Sequence, residues 1–338
     1  MTGPSARLAI RADGDTQLGF GHVMRCAALA HALLDNGHEL VWFCCTPQAI
    51  PEALAARIEI RPLSQDGDEA GALIANLADA GVTGLIGDWQ TTHPELCRQL
   101  RRSGLWLALI GNHLSGAEAD LVIHQRFGPA PVADVSAICE GSDYILLAPG
   151  YAGLPPRRVK PQARHLLVSL GGSDTPLLNN VMQAIYDLPT LEGVEVEVRR
   201  ALPRPTSLPE AGLLDALQSA DLAILAAGTT LHEAAATGLP AIALPITPNQ
   251  IERARQFELL GLGLSLDPAA DDFAPRLRQT LAELLGAPAL RQQLGLTAQK
   301  CVDGRGAHRV ARRVTALSTR AQTQRNSDHS TATAGPPS

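Results

Sequence analysis

The stretch ARLAIRADGDTQLGFGHVMRCAALAHALLDNGHELVWFCC, residues 6–45, decides the architecture. Its opening, 6–12, is a short apolar run ended by Asp13 and Gly14, as expected of a strand. A glycine-rich loop with Gly14, Gly19 and Gly21 follows, and a helical pattern then runs from about 22 to 36. Gly37 stands just past the last periodic residue, where a glycine commonly stops a helix. ELVWFCC at 39–45 is the next strand. Strand, crossover helix and strand make a βαβ unit, and such units build parallel sheets.

The same rhythm continues outward. Strands are predicted at 58–63, 82–88, 105–111 and 120–124, with helices between them. Their near-continuous apolar runs suit a sheet covered on both faces. Residues 149–163 (PGYAGLPPRRVKPQA) break the pattern, and their density of Pro and Gly reads as an interdomain linker. The rhythm restarts with strands at 165–171, 194–201, 222–227, 241–246 and 263–266, and helices at 176–187, 212–219, 230–237 and 249–260. Two or three helices close the chain between about 271 and 319. Residues 321–338 hold no Leu, Ile, Val or Phe, so a disordered tail is expected there. The expected division is 1–150, 151–320 and the tail at 321–338. The fold class is α/β, with two doubly wound Rossmann-like domains and an interdomain cleft, where ligands of such folds bind.

With 338 residues, 45% of them apolar, the chain can bury sizeable cores. The net charge of −6 argues against nucleic acid or an anionic membrane as partner. No apolar run reaches the roughly 18–20 residues that span a bilayer, and no signal peptide is visible. Cys26, Cys44, Cys45, Cys97, Cys139 and Cys301 form no Cys-x-x-Cys pair, so reduced thiols and a cytoplasmic location are expected. His93, His113 and His124 lack metal-ligand spacing, and neither a metal nor a cofactor is expected.

The loops after the strands are the candidates for chemistry. In DGDTQLGFGHVMRC (13–26), Gly19 and Gly21 let the backbone approach a ligand, and His22 stands at the start of the helix. A neutral imidazole facing a cleft is a competent general base near pH 7, although His22 can also simply pack. Arg25 either shares the ligand-facing side or pairs with a carboxylate. Asp88 ends a strand, so it faces the cleft or caps the next helix. In SLGGSD (169–174), Gly171, Gly172 and Ser173 lie between strand and helix, where a phosphate or an ordinary turn fits. In AAGTTLHE (226–233), Gly228, Thr229 and Thr230 again open a helix, an arrangement that suits a diphosphate. Glu233, one turn in, can accept from ribose hydroxyls or complement the helix dipole. In PITPNQ (245–250), Asn249 is a candidate cap and Gln250 a candidate to reach the cleft.

Taken in order, GFGHVMRC at 19–26, SLGGSD at 169–174, AAGTTLHEAAATGLP at 226–240, NQ at 249–250 and VDGRGAHRV at 302–310 resemble a known family. It comprises the UDP-2,4-diacetamido-2,4,6-trideoxy-β-L-altropyranose hydrolases of pseudaminic acid biosynthesis, often called PseG, together with the spore-coat polysaccharide proteins. The resemblance covers roughly residues 6–315. It implies a GT-B fold, a UDP-sugar with its UDP on the C-terminal domain, and metal-free hydrolysis of the anomeric bond with inversion. It also implies that His22 is the base and that Glu233 holds the ribose. Three places depart from the family's pattern. Gly111-Asn112-His113-Leu114 stands for Asp-Asp-Leu, His124-Gln125-Arg126 for Asp-Gln-Asn, and the Gly228–Glu233 run for Ser-Thr-Thr-Trp-Glu. The leading expectation is a UDP-sugar hydrolase. A glycosyltransferase of surface-polysaccharide or natural-product assembly is the alternative, and a nucleotide-sugar-binding protein without turnover is the third reading.

Overall fold

The computed structural model describes residues 5–15, 19–64, 69–111, 117–128, 137–171, 176–186, 188–199 and 211–333. The chain divides into two compact units. The first comprises Met1–Gln125, Pro129–Leu146 and Gly306–Ser338, and the second Arg126–Gly128 and Leu147–Arg305.

The first unit is built on β1 (Arg7–Ala12), β2 (Glu39–Cys44), β3 (Glu59–Pro62), β4 (Gly84–Asp88), β5 (Trp106–Ile110), β6 (Leu121–Ile123) and β7 (Ile138–Cys139). These pair in parallel in the order β3-β2-β1-β4-β5-β6-β7. Among the described residues the α-helices α1 (Gly21–Asp35), α2 (Glu52–Ala55), α3 (Glu69–Asp79) and α4 (Pro94–Arg102) precede the second unit. The central strands β4 and β5 are buried along their whole length, as the apolar run of β5 and that of β4 up to Asp88 lead one to expect. On α1 the buried set Val23, Cys26, Ala27, Ala30 and Leu33 follows helical spacing. β7 spans two residues, too short to leave a pattern, and was not among the predicted strands.

The second unit holds β8 (His165–Ser169), β9 (Glu195–Val198), β10 (Leu222–Ala226), β11 (Ala241–Leu244) and β12 (Leu264–Ser265), all parallel in the order β12-β11-β10-β8-β9. Its helices are α5 (Pro176–Tyr186), α6 (Ala211–Ser219), α7 (Thr229–Thr237), α8 (Pro248–Leu259), α9 (Phe273–Gly286) and α10 (Pro288–Cys301).

Three observations differ from the sequence expectations. First, the last helix, α11 (Gly306–Thr333), belongs to the first unit. Its buried Val310, Ala311 and Val314 join the core that contains Leu29 and Leu33 of α1. Periodicity shows that a helix has an apolar face but not which core that face covers. Second, α11 runs into the segment expected to be a disordered tail and ends at Thr333. The segment lacks large apolar residues, yet Ala, Gln and Arg are good helix formers and extend a helix already nucleated on a core. Residues 334–338 lie outside the described set. Third, the 149–163 stretch is strapped to the second unit. Arg157 donates to the carbonyls of Leu217 (3.0 Å), Gln218 (3.2 Å), Thr237 (3.3 Å) and Ala220. The fully buried Arg291 donates to those of Leu285 (2.7 Å), Lys160 (2.8 Å), Pro161 (3.1 Å) and Leu284. Buried carbonyls need donors, and two guanidinium forks supply them. Burial pushes the Arg157 guanidinium down to about 10.

Candidate active site

Ligands of open α/β sheets settle at the carboxyl ends of strands where the strand order reverses. In the first sheet that point lies between β1 and β4, where Ala12 and Asp88 are register partners. The loop leaving β1 is tied down before it reaches α1. The Asp13 carboxylate accepts from the backbone N–H groups of Cys45 (2.6 Å) and Thr46 (3.0 Å), and the Gly14 N–H donates to the Thr46 hydroxyl at 3.0 Å. Asp15 and Gly19 form an isolated antiparallel bridge, with Gly19 at φ +77°. An L side chain there costs about 1–2 kcal/mol. Gly21 is the first residue of α1, and Phe20 before it supplies no side-chain cap. The first N–H groups of α1 therefore receive no cap from the side chain of the residue before the helix.

His22 and Arg25 share one face of α1, and both meet Asp88. His22 Nδ1 lies 2.8 Å from Asp88 Oδ1, and Arg25 approaches the same carboxylate through Nε (2.5 Å to Oδ2) and a terminal nitrogen (2.6 Å to Oδ1). The exposure of each side chain sorts the roles. Asp88 is 0% exposed and His22 21%, so the histidine alone of these two can reach a ligand. Asp88, expected to face the cleft or cap the next helix, is buried and paired with His22 and Arg25. Arg25, expected to contact a ligand or pair with a carboxylate, does the second. Burial pushes the Asp88 carboxyl up, but the Arg25 charge and the hydrogen bonds from His22 and Arg25 outweigh this and hold it below the ordinary aspartate value. An ionised carboxylate only accepts, so the proton between Asp88 and His22 belongs to Nδ1. Arg25 also comes within 3.0 Å of Nδ1. Two donors cannot bond to each other, so that nitrogen of Arg25 is directed to Oδ1. The neutral ring then keeps its lone pair on Nε2. Cys26, its sulfur 3.7 Å from Asp88 Oδ2, has its thiol pushed well up by burial and by the carboxylate charge.

The second sheet reverses between β8 and β10. Gly171, at φ +96°, leaves β8, and an added Cβ would meet Ile246 Cδ1 at 3.7 Å. Gly172 and Ser173 lie outside the described residues. After β10, Gly228 precedes α7 and gives it no side-chain cap, while Thr229 and Thr230 are half-buried in its first turn. Gln250 comes close to Gly228, its amide nitrogen 3.7 Å from an added Cβ, and its Oε1 accepts from the Ile246 N–H at 3.1 Å. The geometry thus brings Gly171, Gly228, Thr229, Thr230 and Gln250 to one edge of the sheet. Asn249 is not the helix cap; Thr247 is, and its hydroxyl donates to Asn249 Oδ1 at 2.5 Å. Glu233 is half-buried in the second turn of α7. The sequence reading missed Arg253, which donates to the Ala227 carbonyl at 2.7 Å and so places a cation beside the β10–α7 loop. Its spacing of three from Gln250 on α8 was the available signal.

The departures from the family's pattern are partly structural. Gln125 is buried and occupied by backbone, its amide donating to the Tyr144 carbonyl (3.3 Å) and its Oε1 accepting from the Leu146 N–H (2.9 Å). Arg126 lies 3.6 Å from Glu252. Asn112, His113 and Leu114 are outside the described residues. Among the described residues, no cluster of His, Cys, Asp or Glu is placed to hold a metal ion.

Comparison with solved structures settles the fold. Spinosyn forosaminyltransferase SpnP superposes with a TM-score of 0.66 over 93% of this chain and 100% of its own, at 16% identity. The chain has the GT-B fold. Among curated sequences, the GT-B chain is similar to the spore coat polysaccharide biosynthesis protein SpsG of Bacillus subtilis (strain 168), at 24% identity over 90% of this chain and 96% of that one. It is also similar to part of the Helicobacter pylori (strain ATCC 700392 / 26695) protein named pseudaminic acid cytidylyltransferase and UDP-2,4-diacetamido-2,4,6-trideoxy-beta-L-altropyranose hydrolase. That match is 30% identical over 35% of this chain and 24% of the longer protein. No family model matches the chain. No described helix is long and apolar enough to cross a membrane.

Proposed function

We propose that this GT-B protein transfers the glycosyl group of a UDP-sugar to an acceptor hydroxyl, with His22 as general base. The observation that carries this reading is the 2.8 Å contact of His22 Nδ1 with the buried Asp88, which leaves Nε2 as the acceptor nitrogen of a partly exposed side chain. Nε2 takes the proton of the acceptor O–H while its oxygen bonds to the anomeric carbon. The bond from that carbon to the diphosphate breaks, its electron pair leaves with UDP, and the configuration inverts. Asp88 stabilises the imidazolium as it forms, and Arg25 keeps Asp88 ionised. In the second unit, this reading assigns the leaving diphosphate to the N–H groups at Gly171 and at the start of α7, with Thr229, Thr230 and Arg253. Preorganised donors of this kind act where charge develops. Glu233 takes the ribose hydroxyls, and Gln250 fixes the loop beside the diphosphate.

A second reading puts water in place of the acceptor, making the protein a UDP-sugar hydrolase of pseudaminic acid-type biosynthesis. The partial likeness to the Helicobacter pylori protein favours it. Full-length similarity to a forosaminyltransferase fold and to a spore-coat polysaccharide protein supports transfer first.

The test measures UDP release from UDP-2,4-diacetamido-2,4,6-trideoxy-β-L-altropyranose and a panel of other UDP-sugars, with and without acceptor alcohols, beside His22→Asn. Release that requires an acceptor supports transfer, and release in water alone supports hydrolysis. Undiminished release by His22→Asn would remove the base assignment. Absence of both release and UDP binding would overturn the reading.

A further inference from the structure

The first unit carries a concavity at the opposite ends of its strands from His22. It is a groove of about 640 Å³ between the last turn of α4, the start of β5 and the far part of α11. Trp106 forms part of its lining and lies against Gly84, the first residue of β4, whose last residue is Asp88. At about 3.3 Å per residue, the length of that strand separates the two places by roughly 13 Å.

Arginines converge on this groove from two elements: Arg98, Arg101 and Arg102 from α4, and Arg320 and Arg325 from α11. Their partners differ. Arg98 pairs with Glu95 at 2.7 Å, and Arg101 with Asp120 at 2.9 Å and Glu118 at 3.6 Å. Arg325 donates to the Gly104 carbonyl, which fastens α11 to the turn after α4. Arg102 and Arg320 make no hydrogen bond or ion pair among the described residues. Glu95 feels the charge of Arg102, yet its oxygens are taken by Arg98 and Gln99. Cations in the last turn of α4 complement the helix dipole. That accounts for α4 and leaves Arg320, brought in from another helix, without a reason. A local excess of cations in a chain of net charge −6 is a selective feature rather than a general one.

We propose that this groove binds a small phosphorylated ligand. Guanidinium forks match phosphate oxygens in pairs, and the groove volume falls in the range of about 300–1,000 Å³ typical of small-molecule sites. Leu105 and Leu317 add an apolar wall for the remainder of such a ligand. An extended anionic surface fits less well. The site is concave, and Glu118 and Asp120 stand within it.

Calorimetry at low ionic strength, with UDP present in excess to fill the diphosphate site proposed in the second unit, tests this with inorganic pyrophosphate and with ADP as probes, the first for the phosphoryl groups alone and the second for a nucleotide. Arg102→Ala/Arg320→Ala is expected to weaken pyrophosphate at least tenfold. Arg276→Ala/Arg278→Ala, which removes two exposed arginines of α9, is expected to change nothing. Glu118→Gln should tighten binding two- to fivefold, because it releases Arg101 from one carboxylate. Preference for ADP over pyrophosphate would identify a nucleotide as the source of the phosphate, and equal affinity a simpler phosphate. Equal loss in both double variants, or no binding by either probe, would overturn the proposal. Binding to phosphatidylglycerol vesicles without saturable binding of the small probes would overturn it too. His22 and Asp88 are untouched in every variant, so failure here leaves the proposed reaction standing.

Discussion

The two crevices of this protein handle charge in opposite ways. In the first unit, ionisable side chains pair with one another: a buried aspartate is held by an arginine and turned toward one nitrogen of a histidine. In the second, the described candidates are mostly backbone and neutral groups: a helix start without a side-chain cap from Gly228, a glycine at positive φ and two hydroxyls, with Arg253 bringing a cation. Proton transfer needs a group that changes state, whereas holding a diphosphate needs donors that never do. On the proposed reading, the difference separates a site for making and breaking bonds from a site for grip.

Substitutions can break this contrast. The largest expected effect is on turnover: His22→Asn should lower the rate of UDP release by about 10²–10⁴-fold, the usual cost of losing a general base. UDP affinity measured by calorimetry should stay within a factor of two or so, since the grip lies in the other unit. Asp88→Asn comes next. It leaves Arg25 largely buried without its carboxylate, and it lets an amide present either atom to His22. Stability measured by urea denaturation should fall by about 3 kcal/mol, the lower end for a broken buried pair because Arg25 keeps some exposure. Gly171→Ala should cost about 1–2 kcal/mol through its positive φ alone, as there is room for the methyl group. It should weaken UDP as well as the fold. Gln250→Ala is the smallest, loosening one backbone N–H at Ile246 for about 1 kcal/mol and weakening UDP several-fold.

Acid sharpens the same comparison. The Asp88 carboxyl titrates below its unfolded value of about 3.9, so its stabilising contribution is complete above that pH and is lost as pH falls through the folded value. Urea midpoints of the wild type and of Asp88→Asn should therefore differ by a constant amount near neutrality and converge only below about pH 4. A gap that closed between pH 5 and 7 would show that Asp88 is not held low.

Much of this could be read from sequence where the information is local. Strand runs, helical spacing and glycines at turns placed both sheets and put His22, Gly171 and Gly228 at strand ends. The pairing of Asp88 with His22 and Arg25 was not legible, because it joins positions 66 and 63 residues apart through the order of strands in a sheet. Asp88 and Arg25 were each recognised as candidate site residues, and a carboxylate partner for Arg25 was one of its two readings, but which carboxylate was not visible. Pro and Gly at 149–163 correctly announced irregular backbone. They carried no sign that Arg291, some 130 residues on, would hold it down. The apolar face of α11 was visible as well, and its destination was not.

The course of α11 has a consequence for how the molecule comes to exist. The second unit, apart from Arg126–Gly128, is one uninterrupted run of chain, Leu147–Arg305, placed inside the sequence of the first. During synthesis the first unit emerges early, but part of its core, Val310, Ala311 and Val314, arrives only after the whole of the second. The half that carries His22 therefore keeps an apolar surface uncovered until α11 emerges, and its core is finished last.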